Sequence, residues 1–138
     1  MGVVLDSTVW IAAERRRRTV LDTLDSLRSR LGDEAVTIAV MTAAELLHVV
    51  WRATPPATRA RREDFVEEIF ARVPVYPLSL RIARIVGRID AVTRSAGKTI
   101  PTADLIIGAT AMDLGFSVAT AKERHYRLIP GLRVLMVS

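Results

Sequence analysis

Short apolar runs alternate along this chain with stretches in which apolar residues recur every three or four positions. That alternation restricts the fold more than any other feature of the sequence. The runs are Val3 to Leu5, Val36 to Val40, Val73 to Tyr76, Phe116 to Ala119 and Arg133 to Val137. Each is short and rich in β-branched or aromatic residues, as buried strands are. The stretches between them have helical period. Val20, Leu24, Leu27 and Leu31 mark one stripe, and Leu46, Val49 and Val50 a second. Phe65, Val66, Ile69 and Phe70 form a third. Leu80, Ala83, Val86, Ile89 and Val92 form a fourth, and Leu105, Ile106, Ala109 and Met112 a fifth. Pro55-Pro56 ends the second of these helices, Ser95-Ala96-Gly97 closes the fourth, and Gly115 follows the fifth as a terminating glycine. Pro130-Gly131 turns the chain before the last strand.

Strands alternating with helices predict an α/β fold with a parallel sheet covered on both faces. No repeat or linker interrupts the pattern, so residues 1–138 are expected to form one domain. A chain of this length buries roughly 68% of the surface it would expose unfolded, enough to hold a fold without metal or disulfide. Aromatic residues make up only 5%, so the core must be built from Val, Leu, Ile and Ala. The absence of cysteine excludes disulfides, thiolate zinc sites and cysteine catalysis, and fits a reducing compartment. Asp6 interrupts the first apolar run, and Arg15 to Arg18 follow that run instead of preceding it, unlike a secretion signal. No apolar stretch approaches the ~18 residues of a membrane span. These features predict a cytoplasmic protein.

In open parallel sheets, ligands bind beyond the carboxyl ends of the strands, where the strand order reverses. Asp6 directly follows Val3-Val4-Leu5. Glu45 lies in Thr42-Ala43-Ala44-Glu45, one turn into the helix after the second strand. Asp104 lies in Ile100-Pro101-Thr102-Ala103-Asp104, within the first turn of the fifth helix. Thr120 follows Phe116 to Ala119. All four are predicted at one edge of the sheet, although 39 and 59 residues separate the three acids. Grouped carboxylates repel unless a cation compensates or one of them protonates. Hard oxygen ligands without Cys or His suit Mg²⁺ or Mn²⁺. Such an ion can hold a phosphate oxygen, polarise the phosphorus and acidify a water, which is a route to phosphodiester hydrolysis.

Each acid also has a purely structural reading. Thr42-x-x-Glu45 matches a helix capping box, with Thr42 as the N-cap. Asp104 in a first helical turn meets the helix dipole favourably. Asp6 can cap the helix that follows it, as can Ser7 or Thr8, whose hydroxyls can alternatively bond to Asp6. The net charge of +5 and pI of about 10.6 attract polyanions such as RNA. Arg15 to Arg18 and Arg59, Arg61 and Arg62 read either as phosphate contacts or as solvated surface. His48 and His125 read as structural, and Trp10 and Trp51 as core or dimer contacts.

At these residues the sequence resembles a PIN domain, and within that family a VapC-type toxin ribonuclease. The segments that carry the resemblance are Val3-Val4-Leu5-Asp6-Ser7-Thr8-Val9-Trp10-Ile11, Thr42-Ala43-Ala44-Glu45-Leu46, the stretch from Ile100 to Ala111, Ala119-Thr120, and Ile129-Pro130-Gly131-Leu132. The resemblance implies a three-layer α/β/α PIN-like fold with a central parallel five-stranded sheet. It implies a Mg²⁺- or Mn²⁺-dependent endoribonuclease, with Asp6, Glu45 and Asp104 as metal-binding acids and Thr120 supporting Asp6. It also implies a homodimer paired with a small antitoxin that blocks the active site.

One residue departs from the family pattern. The family often carries a fourth acid, or Asn, two residues after the threonine, where this chain has Lys122. With both groups ionised, site charge would change from about −4 to about −2. Three outcomes follow: one metal held by three acids, Glu123 swinging in as a substitute, or weak catalysis. The alternative function is therefore a catalytically weak or inactive module that binds RNA or a partner. A phosphoryl-accepting receiver domain is disfavoured, because Asp6-Ser7 lacks the paired acid such domains carry after the first strand.

Overall fold

The computed structural model describes residues 1–137. The elements run β1 (Gly2–Leu5), α1 (Ser7–Arg15), α2 (Val20–Leu31), β2 (Ala35–Ala39), α3 (Val40–Arg52), α4 (Pro56–Arg72), β3 (Val75–Tyr76), α5 (Leu80–Ser95), α6 (Thr102–Leu114), β4 (Ser117–Thr120), a 3₁₀ turn (Tyr126–Leu128) and β5 (Val134–Met136). The five strands form one sheet in the order β3-β2-β1-β4-β5. Every pairing is parallel, with Val3 opposite Val36 on one side and Ser117 on the other. The expected five-stranded parallel sheet is therefore present.

Alternation along the strands sorts the core into two layers. Val3 and Leu5 of β1, Ile38 of β2 and Ala119 of β4 pack with Val9, Trp10, Val20, Leu27, Leu46, Val50, Val66 and Ile69 from α1 to α4. Val4, Ala39 and Val118, the alternate strand positions, pack with Ile89, Leu105, Ile107 and Ala111 from α5 and α6. Helices thus cover both faces, giving an α/β/α sandwich. Each fully buried Val, Leu or Ile contributes about 1.5–3 kcal/mol, so the core itself holds the fold. Among the described residues, no helix is long and apolar enough to cross a membrane.

The chain leaves β1 in both directions. Strands β2 and β3 extend the sheet to one side, and β4 and β5 to the other. The order therefore reverses between β1 and β4, and the crevice expected to hold a ligand lies beyond Leu5 and Thr120. The backbone N–H of Asp6 donates to the Ala119 carbonyl at 3.0 Å, one more rung of the β1–β4 ladder.

Two expectations change. The second strand ends at Ala39, and α3 begins at Val40 with Ala39 as its N-cap residue. Thr42 is thus the third residue of the helix and not its cap. Its hydroxyl is buried without a partner, and the capping-box reading of Thr42 and Glu45 fails. In α5, the stripe read at three-residue spacing is only partly the inward face: Ile89 is buried and Val86 half-buried, but Leu80, Ala83 and Val92 are exposed, and Ile82 and Thr93, outside the stripe, are buried. Three residues fall 60° short of a full turn, so a strict three-residue repeat drifts around the helix. The predicted punctuation is present at Gly97, Gly115 and Gly131, each with positive φ. Trp10 is wholly buried, edge-on to Phe65. Trp51 is not core: it is 65% exposed, with the Arg59 guanidinium 5.6 Å from its ring centroid.

Candidate active site

Asp6 stands at the N-cap position of α1, yet its side chain makes no cap bond. Its carboxylate is held instead by three hydroxyls. Ser7 donates to Oδ1 at 3.3 Å, and Thr8 and Thr120 donate to Oδ2 at 3.0 and 2.7 Å. Each threonine has one proton to give and accepts in turn from the loop after β4. The Ala121 N–H donates to Thr8 Oγ1 at 3.1 Å, and the Lys122 N–H donates to Thr120 Oγ1 at 3.0 Å. Asp6 and Thr120 are both buried, so these bonds are made away from water, where leaving one unmade is costly.

Asp104 projects from the first turn of α6 and is gripped by two adjacent residues of the turn after β4. His125 Nδ1 lies 2.7 Å from Oδ2, and the Tyr126 hydroxyl donates to Oδ1 at 3.3 Å. Tyr126 is 1% exposed. Burial, then the negative charges of Asp6, Asp104 and Glu45, push its phenol far above the usual tyrosine range. The phenol therefore stays protonated and donates to Asp104.

Glu45 lies in the second turn of α3. Burial raises its carboxyl above the ordinary glutamate range. The neighbouring Ser7 hydroxyl opposes that shift, and the charges of Asp6 and Asp104 reinforce it. Its Oε1 is buried with no hydrogen-bond partner. The structure thus brings Asp6, Glu45, Asp104 and Thr120 to the β1–β4 crevice.

The donor chemistry suits a hard divalent ion: three carboxylates, no sulfur, and one buried carboxylate oxygen that nothing satisfies. The spacing is looser than the chemistry. Among the described residues, no three His, Cys, Asp or Glu side chains are grouped tightly enough to form a ready metal cage. The acids lie close enough for charge to couple them, but not closed into one coordination shell.

Several other residues find their places. Lys122 is exposed and meets the site through its backbone, its carbonyl lying 3.2 Å from Thr120 Oγ1. Glu123 does not substitute for a fourth acid, since it is paired with Arg127 at 2.7 Å. Arg15 to Arg18 are all exposed, and Arg62 pairs with Glu14 at 3.3 Å. His48 is exposed on α3, lining a shallow groove with Ser7, Ile11, Met41 and Glu45. His125, expected to be structural, and Tyr126, which carries no motif, both bond to Asp104. Their contacts with Asp104 span 21 and 22 residues, which no local pattern reports.

The same chain matches the model of the PIN domain over residues 3–129. It belongs to the PIN domain family. It is similar to Ribonuclease VapC1 of Rickettsia felis, 29% identical with 100% of this chain and 98% of that protein covered. Ribonuclease VapC of Rickettsia bellii is 25% identical, with 99% and 97% covered. The fold superposes on VapBC2 from Rickettsia felis bound to a DNA fragment from their promoter, with TM-score 0.87, 16% identity and full cover of both chains. It also superposes on VapBC-5 from Mycobacterium tuberculosis, with TM-score 0.74, 26% identity, and 99% and 96% covered. The VapC-type resemblance read from the motifs is thus borne out.

Proposed function

We propose that this chain is an endoribonuclease dependent on Mg²⁺ or Mn²⁺, the toxin of a toxin–antitoxin pair. The observation that carries the reading is the buried Glu45 Oε1 that nothing satisfies, on a carboxyl near enough to Asp6 and Asp104 for their charges to act on it. Asp6, Glu45 and Asp104 would hold the ion, and when bound it would polarise the phosphate and acidify a water. The chain's own residues do the rest. Thr8, Thr120 and Ser7 fix the Asp6 carboxylate. The basic surface, at net charge +5, attracts the RNA backbone. The names of the full-length relatives, both ribonucleases, support the substrate class. The VapBC pairs among the similar structures support a small antitoxin partner. A homodimer and a cytoplasmic location complete the proposal.

The test is Asp6→Asn and Asp104→Asn, each purified and checked by circular dichroism. Both should retain the fold and lose Mg²⁺-dependent cleavage of RNA. Undiminished cutting by either variant sinks the assignment of that acid, and by both, the site itself.

A second reading has its own observations. It makes the chain a PIN-fold module that binds RNA or a partner with little or no turnover. Lys122 stands in place of an acid, and the described acids form no ready metal cage. On geometry alone this reading is the better supported of the two. Cleavage that appears only in Lys122→Asp would establish it, and metal-stimulated cleavage by the unaltered chain would remove it.

A further inference from the structure

Tyr126 is the one residue in the acidic crevice whose bulk and whose polar atom answer to different needs. Its ring packs in the layer beneath α5 and α6, beside Leu105 and Ile129. A phenylalanine would fill that space. The hydroxyl is therefore not needed for packing, and a buried hydroxyl costs free energy unless it is bonded. This one is bonded to Asp104 Oδ1 at 3.3 Å. Its neighbour His125 takes the other oxygen of Asp104. Two consecutive residues thus grip both oxygens of one carboxylate, across 21 and 22 residues of chain.

The grip sits where it matters. Asp6 is anchored by Ser7, Thr8 and Thr120, all on or beside its own strand pair. Asp104 comes from a helix of the opposite layer, and its carboxylate bonds to His125 and Tyr126. Lys122, on the same turn, supplies no acid to draw Asp104 toward Asp6 through a shared ion. We propose that the Tyr126 hydroxyl is a positioning residue for divalent metal: its bond to Asp104 Oδ1 orients that carboxylate so that a three-acid site can hold one ion. This proposal rests on the metal-dependent reading above. Partners that hydrogen-bond to metal-ligating carboxylates fix their orientation, and losing one typically costs 10–100-fold in metal affinity.

The experiment is a Mn²⁺ titration, read by the electron paramagnetic resonance signal of free Mn²⁺, on the unaltered chain and on Tyr126→Phe. Melting temperature is recorded for both without metal. The expected result is a roughly 10–100-fold weaker Mn²⁺ affinity in Tyr126→Phe, with the fold retained. Equal affinity in the two proteins overturns the positioning role and leaves the metal site standing. No Mn²⁺ binding by the unaltered chain overturns the metal reading and this proposal together. Should Tyr126→Phe fail to fold, Tyr76→Phe leaves Tyr126 as the only tyrosine of the two in the chain. Adding Mg²⁺ to that variant should then perturb the tyrosine ultraviolet difference spectrum, saturating with the metal. A spectrum unmoved by Mg²⁺ that nevertheless binds counts against the role.

Discussion

The Thr120 hydroxyl donates to Asp6 Oδ2 at 2.7 Å, joining the ends of two neighbouring parallel strands across 114 residues of chain. It is the shortest of the three bonds that hold Asp6. Both partners are buried, so water cannot take the place of the lost donor. Thr120→Val keeps the shape of the side chain and removes the hydroxyl. It should cost about 1–3 kcal/mol of stability, measured by urea unfolding. If Asp6 holds an ion, metal affinity should also drop about 10–100-fold. A valine variant with unchanged stability and unchanged metal affinity would show that Thr8 and Ser7 suffice.

Glu45 gives a pH test with a definite sign. Its folded-state carboxyl is raised, chiefly by burial, so the native protein binds that proton more tightly than the unfolded chain does. The favourable contribution is therefore fully present below the ordinary glutamate range and is lost as pH rises through the folded value. Glu45→Gln carries no charge to desolvate. In metal-free buffer it should melt higher than the parent at neutral pH, by on the order of a few degrees. The difference should vanish as pH falls to about 4. A gain that persists unchanged at acid pH would assign it to something other than ionisation.

The exposed run Arg15 to Arg18 bears on substrate binding. If these arginines contact phosphates, each lost contact lowers the slope of log affinity against log salt by about 0.7 for single-stranded RNA. Arg16→Ala with Arg18→Ala should then weaken RNA binding at low salt and reduce that slope. Unaltered affinity and slope in a filter-binding titration would make the run a solvated surface.

Much of the sheet could be read in advance because each buried strand is a compact apolar run with a turn signal beside it. Asp6 was legible for the same reason: it directly follows such a run. The capping-box alternative for Thr42 and Glu45 fails because a Ser/Thr-x-x-Glu spacing says nothing about where a helix begins. The helix began at Val40, two residues ahead of Thr42. The inward face of α5 was misread because Leu80, Ala83 and Val92 repeat at a spacing that a 3.6-residue helix does not keep on one side. His125 and Tyr126 were not legible as site residues. Nothing within ten positions of either distinguishes a contact with Asp104 from an ordinary turn, and only the packing of α6 against the turn after β4 brings them together.

The amide of Asp6 is itself a rung between β1 and β4. In a hydrogen-exchange experiment it belongs with the amides released only when the central strands separate, not with those of loops that open locally. The carboxylate attached to that backbone inherits the same immobility. If the crevice takes up an ion, Asp6 would be the fixed point of the site, and Asp104 and Glu45, carried on helices, would be the acids that adjust to it.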